Sequence, residues 1–133
     1  MHHLKNRQTL STFGLVMERS LDIETLMDAS GGDHDTAVEL IQLFCEMTGP
    51  EFSRLEGAAA VGDAATLSAA AHKCAGSCGA CGMLALSQHL RNLEIASVAG
   101  MPDDLDARLE TIRQEKTRVR KLLEEQFSES FEL

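Results

Sequence analysis

A chain of 133 residues, 44% of them hydrophobic, is the size of one domain with a real core and too short for two. Its formal charge of -9, from 12 Lys and Arg against 21 Asp and Glu, argues against DNA or RNA as partners, since phosphate backbones recruit clustered cations. No run approaches the ~20 apolar residues that span a bilayer, and Met1 to Arg7 lacks the apolar stretch of a secretory signal. A cytoplasmic protein without membrane insertion is therefore expected, with its four cysteines as thiols rather than a disulfide framework.

The absence of Trp and Tyr and the abundance of Ala and Leu favour helices over aromatic, β-branched strands. Residues 1-20 carry a weak period (Leu10, Phe13, Val16, Met17) and read as an N-terminal arm or short helix. Asp22 then caps a short helix that stops at Gly31-Gly32. Asp33 caps a helix of about 33-60 with Val38, Ile41, Phe44, Cys45, Thr48, Phe52 and Leu55 at three- and four-residue spacing. Pro50 falls inside it and predicts a kink, or a break near Gly49; the apolar stripe beyond Pro50 favours the kink.

Asp63, after the turn at Val61-Gly62, caps a third helix running through His72 towards Gly79 or Gly82. A fourth follows through Leu84, Leu86, Leu90, Leu93 and Ile95. Gly100-Met101-Pro102-Asp103-Asp104 restarts the chain into a last helix with Leu105, Leu109, Ile112, Val119, Leu122 and Leu123, its seam interrupted by Lys116 and its end fraying at Ser128-Glu129-Ser130. Short connections between long amphipathic helices predict an all-α, up-down antiparallel four-helix bundle over 21-127, with the arm before it and a frayed tail over 128-133.

The third helix carries the candidate chemistry. Around His72 the neighbours on its face are Ala65, Ser68, Ala69, Ala75 and Gly76, all within roughly 60° on a helical wheel, so one imidazole stands on a surface of small residues that another protein can approach. Cys74, Cys78 and Cys81 fall roughly 180-240° away, beside Leu67 and Ala70. They read as core thiols, or as three of the four ligands of a zinc site that Cys45 or a histidine would have to complete. His34 and His89 read as surface residues. If the chain reverses near Gly82, antiparallel packing brings Leu93 and Glu94 to the level of His72. A carboxylate there can accept from Nδ1-H and leave Nε2 free as a nucleophile; otherwise Glu94 is a solvated face residue.

The run Ala71-His72-Lys73-Cys74-Ala75-Gly76-Ser77-Cys78, then Gly82, then Leu90-Arg91-Asn92-Leu93-Glu94-Ile95-Ala96, resembles the signature of histidine-containing phosphotransfer (HPt) domains. Upstream, Leu26 to Asp33 and Leu40 to Phe44 resemble that family's first helix, its Gly-Gly-Asp turn and its second helix, so the likeness covers about 21-100. It implies a phosphotransfer intermediate rather than a stand-alone enzyme. His72 would take a phosphoryl group on Nε2 from a receiver-domain aspartate, of a hybrid sensor kinase or a response regulator, and pass it to another receiver. Glu94 would orient the ring. The chain would need no cofactor of its own, because the receiver is expected to bring Mg²⁺ and a lysine.

One position departs from the pattern. Where the family commonly has a lysine three residues after the histidine, this chain has Ala75. Lys73 is the obvious substitute for phosphate contact, though at roughly 100° from His72 it must reach round the helix, and it reads equally as a surface lysine. Partner-facing residues are expected at Ser68, Ala69, Ala75, Gly76, Gln88 and Arg91. Two other readings follow from the same residues: a degenerate HPt scaffold or inhibitor that binds receivers without transfer, and a cysteine-based metal or redox sensor.

Overall fold

The computed structural model describes residues 19–133, and the expected arm over 1-20 lies outside them except for Arg19 and Ser20, which are helical. Five further helices follow: α1 (Ile23–Ala29), α2 (His34–Val61), α3 (Ala64–Ala80), α4 (Leu84–Ala96) and α5 (Leu105–Phe127). Helices α2 to α5 form an antiparallel ring, with α3 packed most extensively on α4, then on α2, and with α5 closing against α4 and α2. Short α1 covers one end, against α2 and α3. No helix among the described residues is long and apolar enough to cross a membrane.

Three of these helices start on one device, an aspartate followed three residues later by threonine. The Asp33 carboxylate accepts from the Thr36 N–H (2.9 Å) and hydroxyl (2.7 Å), and Asp63 accepts from the Thr66 N–H (3.1 Å) and hydroxyl (2.7 Å). Asp22 does the same with Thr25, at 3.4 and 3.1 Å. Each cap satisfies a helix N–H that would otherwise be an orphan, and the hydroxyl fixes the carboxylate that does so. Donation from the Thr36 and Thr66 hydroxyls also holds the Asp33 and Asp63 carboxyls below the ordinary carboxylate value.

Pro50 does not break its helix: α2 runs unbroken for 28 residues, and the stripe of Ile41, Phe44, Thr48, Phe52 and Leu55 stays buried on both sides of the proline. Tertiary packing of that face outweighs the single backbone bond that proline removes. Between the helices the core is filled by fully buried Leu26, Ile41, Leu55, Leu67, Met83, Leu86, Leu90, Leu93, Val119 and Leu123, with Cys74 and Cys78 among them.

The tail departs from the expected pattern at one point. Helix α5 ends at Phe127, but the chain beyond is not frayed: Phe131 is buried and its N–H donates to Glu124 Oε2 at 3.0 Å. An aromatic side chain four residues past the end of α5 returns to the core, which the Ser-Glu-Ser run before it conceals. Lys116 interrupts the α5 seam because its ammonium sits 4.0 Å above the Phe52 ring of α2, where burial pulls its pKa below the ordinary lysine value. Glu115 is buried as well, at 3% exposure, with Arg118 donating to Oε1 at 2.8 Å.

The turn between α3 and α4 is pinned to the start of α1. The Gly82 carbonyl accepts from the Asp22 N–H at 2.8 Å, and Gly82 itself has φ +79°. A β-carbon at that position would collide with the Asp22 carbonyl oxygen. This pin sets where α4 begins, and so which α4 residues come level with His72.

Candidate functional site

His72 lies at the middle of α3, on the side away from the core, and its side chain is 63% exposed. The ring is held from α4. Nδ1 is 2.9 Å from Glu94 Oε2, and Arg91 Nη1 lies 3.0 Å from the same Nδ1 and 3.2 Å from Glu94 Oε1. Glu94 is the least exposed of the three, at 24%, so its carboxylate is the anchored member and the imidazole the presented one. Nε2, with no partner among these contacts, faces outward from the pair that grips Nδ1.

The α3–α4 register that makes this possible is fixed by two further bonds. Ser68 Oγ donates to the Glu94 carbonyl at 3.1 Å, and Ser87 Oγ donates to the Ala75 carbonyl at 2.8 Å. Both are interhelical, so they resist sliding of one helix along the other. Beneath the site the seam is close-packed leucine, alanine and thiol.

Of the expected site residues, the structure brings His72, Glu94 and Arg91 together. Ala69 and Gly76 are exposed beside the ring on α3, and Gln88 is exposed on α4, bonded to Asn92 at 3.0 Å. Ser68 is half-buried, and its hydroxyl is committed to α4. Lys73 turns the other way: its ammonium lies 3.7 Å from Glu51 Oε1 on α2, and Glu51 is also held by Arg54 at 3.4 Å.

Ala75 is not where it was expected. Rather than presenting a partner-facing surface it is fully buried, at 0% exposure, in the α3–α4 seam. Its position at roughly 60° from His72 lies on the flank that α4 covers, and a wheel drawn for one helix cannot show which flank that is. The cation at the imidazole is thus Arg91, reached across the seam, rather than a side chain from α3 itself. Its role beside the ring was not read from the sequence, although the i, i+3 spacing of Arg91 and Glu94 signals that the two share a face.

Cys74, Cys78 and Cys81 are buried free thiols. Burial pushes Cys74 up to about 12 from an ordinary 9.0, with Glu51 adding to it, and raises Cys78 and Cys81 as well. Half-buried Cys45 is raised by the same cause. Among the described residues no group of three or more His, Cys, Asp or Glu is placed to hold a metal, so the ligand set of a cysteine-based metal sensor is not assembled there.

These thiols are neutral near pH 7 and poor nucleophiles. Iodoacetamide followed by mass spectrometry is expected to modify Cys45 well before Cys74 and Cys78; fast labelling of the latter two in folded protein would contradict their burial. The folded-state value of Cys74 is raised, so the stability it contributes is complete below pH 9.0 and is lost as pH climbs towards about 12. A series of thermal melts should therefore show stability declining through that alkaline range, and less steeply in Cys74→Ala.

A family model described as Hpt domain matches residues 39–126, from early α2 to the end of α5. The match takes in His72, Arg91 and Glu94, extends past residue 100 into the last helix, and begins after the Gly-Gly-Asp turn. Comparisons with curated proteins and with solved structures found no match. A match over about two thirds of the chain, on an all-helical bundle with an exposed histidine braced from the next helix, has one consequence: this protein belongs to the Hpt domain family, whose members carry out histidine phosphotransfer in phosphorelays.

Proposed function

We propose that this chain is a cytoplasmic phosphorelay intermediate in which His72 Nε2 accepts a phosphoryl group from a receiver-domain aspartyl phosphate and passes it to a second receiver. The observation that carries this reading is the 2.9 Å contact between Nδ1 and Glu94 on an otherwise exposed ring. A carboxylate at Nδ1 favours the tautomer with its proton there, so that the Nε2 lone pair points out of the surface. Rigid mounting on a packed helix supplies orientation, and the partner supplies the rest of the site: a receiver of a hybrid sensor kinase or response regulator brings Mg²⁺ and a lysine to neutralise the transferring group. The reaction needs no pocket in this chain.

The test is transfer itself. Phosphorylated receivers are incubated with the chain, and label appearing on it that is acid-labile and alkali-stable supports the reading. Association with receivers but no label after any of them would favour a scaffold instead.

Gly76 offers a separate check on the docking surface. A β-carbon there would meet nothing within 4 Å, so nothing in the chain's own fold requires a glycine in mid-helix. Gly76→Ala is expected to stabilise α3 by roughly 0.5–1 kcal/mol, through helix propensity. It should at the same time slow transfer, because the added methyl stands beside His72 where the receiver must come close. A variant that gains stability and transfers at the original rate would show that this side of the ring is not approached.

A further inference from the structure

We infer that Arg91 holds the phosphorylated imidazole in its unprotonated, slowly hydrolysing form, while Glu94 serves the protonated ring that attacks and releases; this rests on the phosphotransfer reading of His72. One ring atom has two partners of opposite demand. Nδ1 is 2.9 Å from a carboxylate oxygen of Glu94 and 3.0 Å from a guanidinium nitrogen of Arg91. A ring nitrogen carries either a proton or a lone pair. With the proton it donates to Glu94 and has nothing to offer Arg91; with the lone pair it accepts from Arg91 and repels Glu94. Both partners are useful only to an atom that changes state.

Phosphoryl transfer imposes that change. Before transfer the proton is on Nδ1, and the Nε2 lone pair attacks phosphorus. The N–P bond forms, the P–O bond to the receiver aspartate breaks, and its electron pair leaves with the carboxylate. The ring is then an imidazolium, still protonated at Nδ1 and still paired with Glu94. Loss of that proton to water leaves Nδ1 with a lone pair, because Nε2 now carries phosphorus, and the partner that fits is the Arg91 guanidinium. For onward transfer Nδ1 regains a proton, a receiver carboxylate oxygen forms the new O–P bond, and the N–P electrons return to Nε2.

Arg91 and Glu94 are bonded to each other at 3.2 Å, so the exchange of partners at Nδ1 needs no rearrangement of α4. The other charges at this level do not compete for the ring. On α3 the Lys73 ammonium is drawn to Glu51 of α2 at 3.7 Å, and Glu51 is shared with Arg54 at 3.4 Å. From α4 only Arg91 and Glu94 contact the ring among the described residues. With residue 75 an alanine sealed in the seam, the stabilising cation comes from the neighbouring helix.

The test uses the full chain labelled at His72 with phosphoramidate, a small donor that requires no receiver, with the labelled nitrogen identified by NMR of the ring. Loss of label is followed from about pH 5 to pH 9, the range that brackets imidazole titration. In Arg91→Ala the pH below which label is lost rapidly should rise by roughly one unit, about a tenfold shorter half-life in the intermediate range. Arg91→Lys should recover part of that difference. A profile in Arg91→Ala that superimposes on wild type, or label residing on Nδ1, would overturn the inference. If no receiver phosphorylates the chain although chemical label depends on Arg91, the phosphotransfer reading falls and the role of Arg91 stands; normal transfer with unchanged lability gives the reverse.

Discussion

His72→Gln is expected to abolish acid-labile, alkali-stable label on this chain, a loss of at least about a thousandfold in transfer from any receiver that labels the wild type. Glutamine approximates the polarity of imidazole but has no ring nitrogen lone pair with which to form the N–P bond. The fold should be untouched, because His72 is 63% exposed and contributes nothing to the core. Melting temperature and helical content are therefore expected to match wild type within error, which separates loss of chemistry from loss of structure. The same variant distinguishes a transfer protein from a scaffold. A scaffold would bind receivers equally well with or without the imidazole and carry no label in either form. Label persisting in His72→Gln would place the acceptor elsewhere and remove the basis for the roles given to Glu94 and Arg91.

The largest expected effect on stability belongs to Gly82→Ala, far from the imidazole. Gly82 has φ +79°, and an added β-carbon would run into the Asp22 carbonyl oxygen and crowd the Thr25 Cβ at 3.4 Å. Backbone strain and displacement of the α1 N-terminus together should cost about 3 kcal/mol, measured as a shift in a urea or thermal unfolding midpoint. Asn is the side chain best suited to positive φ, but it carries the same β-carbon into the same oxygen, so Gly82→Asn should be little better than alanine. Equal stability of all three proteins would mean that the α1 end is not held against this turn. The contrast with Gly76 is informative. Both glycines follow the histidine within ten residues of sequence, yet at Gly82 the added carbon meets the chain's own backbone and at Gly76 it meets open space.

Transfer and stability thus draw on different residues in neighbouring turns of the chain. The Gly82 pin and the Ser87–Ala75 and Ser68–Glu94 bonds fix how α4 lies on α3. That register in turn brings the Glu94 carboxylate to Nδ1, so a substitution in the turn should reach His72 through α4 rather than through α3.

Local chemistry determined a large part of this protein in advance. Three of the helix starts follow from aspartates whose side chains cap the N–H groups that follow, and the buried stripes follow from three- and four-residue spacing, both of which act within a few residues of chain. The same short range placed Cys74 and Cys78 opposite His72, and the spacing on either side of Gly82 brought Glu94 to the histidine. What helix-by-helix reasoning could not supply was the rotation of each helix about its axis and the path of the tail. Those decided that Ala75 is sealed against α4, that Lys73 turns to Glu51 while Arg91 crosses to the ring, that Lys116 lies over Phe52, and that Phe131 folds back onto the core. Each of these depends on which flank a neighbouring helix covers. That choice is made by close packing of the whole bundle, where contacts between residues tens of positions apart outweigh the preference of any single turn.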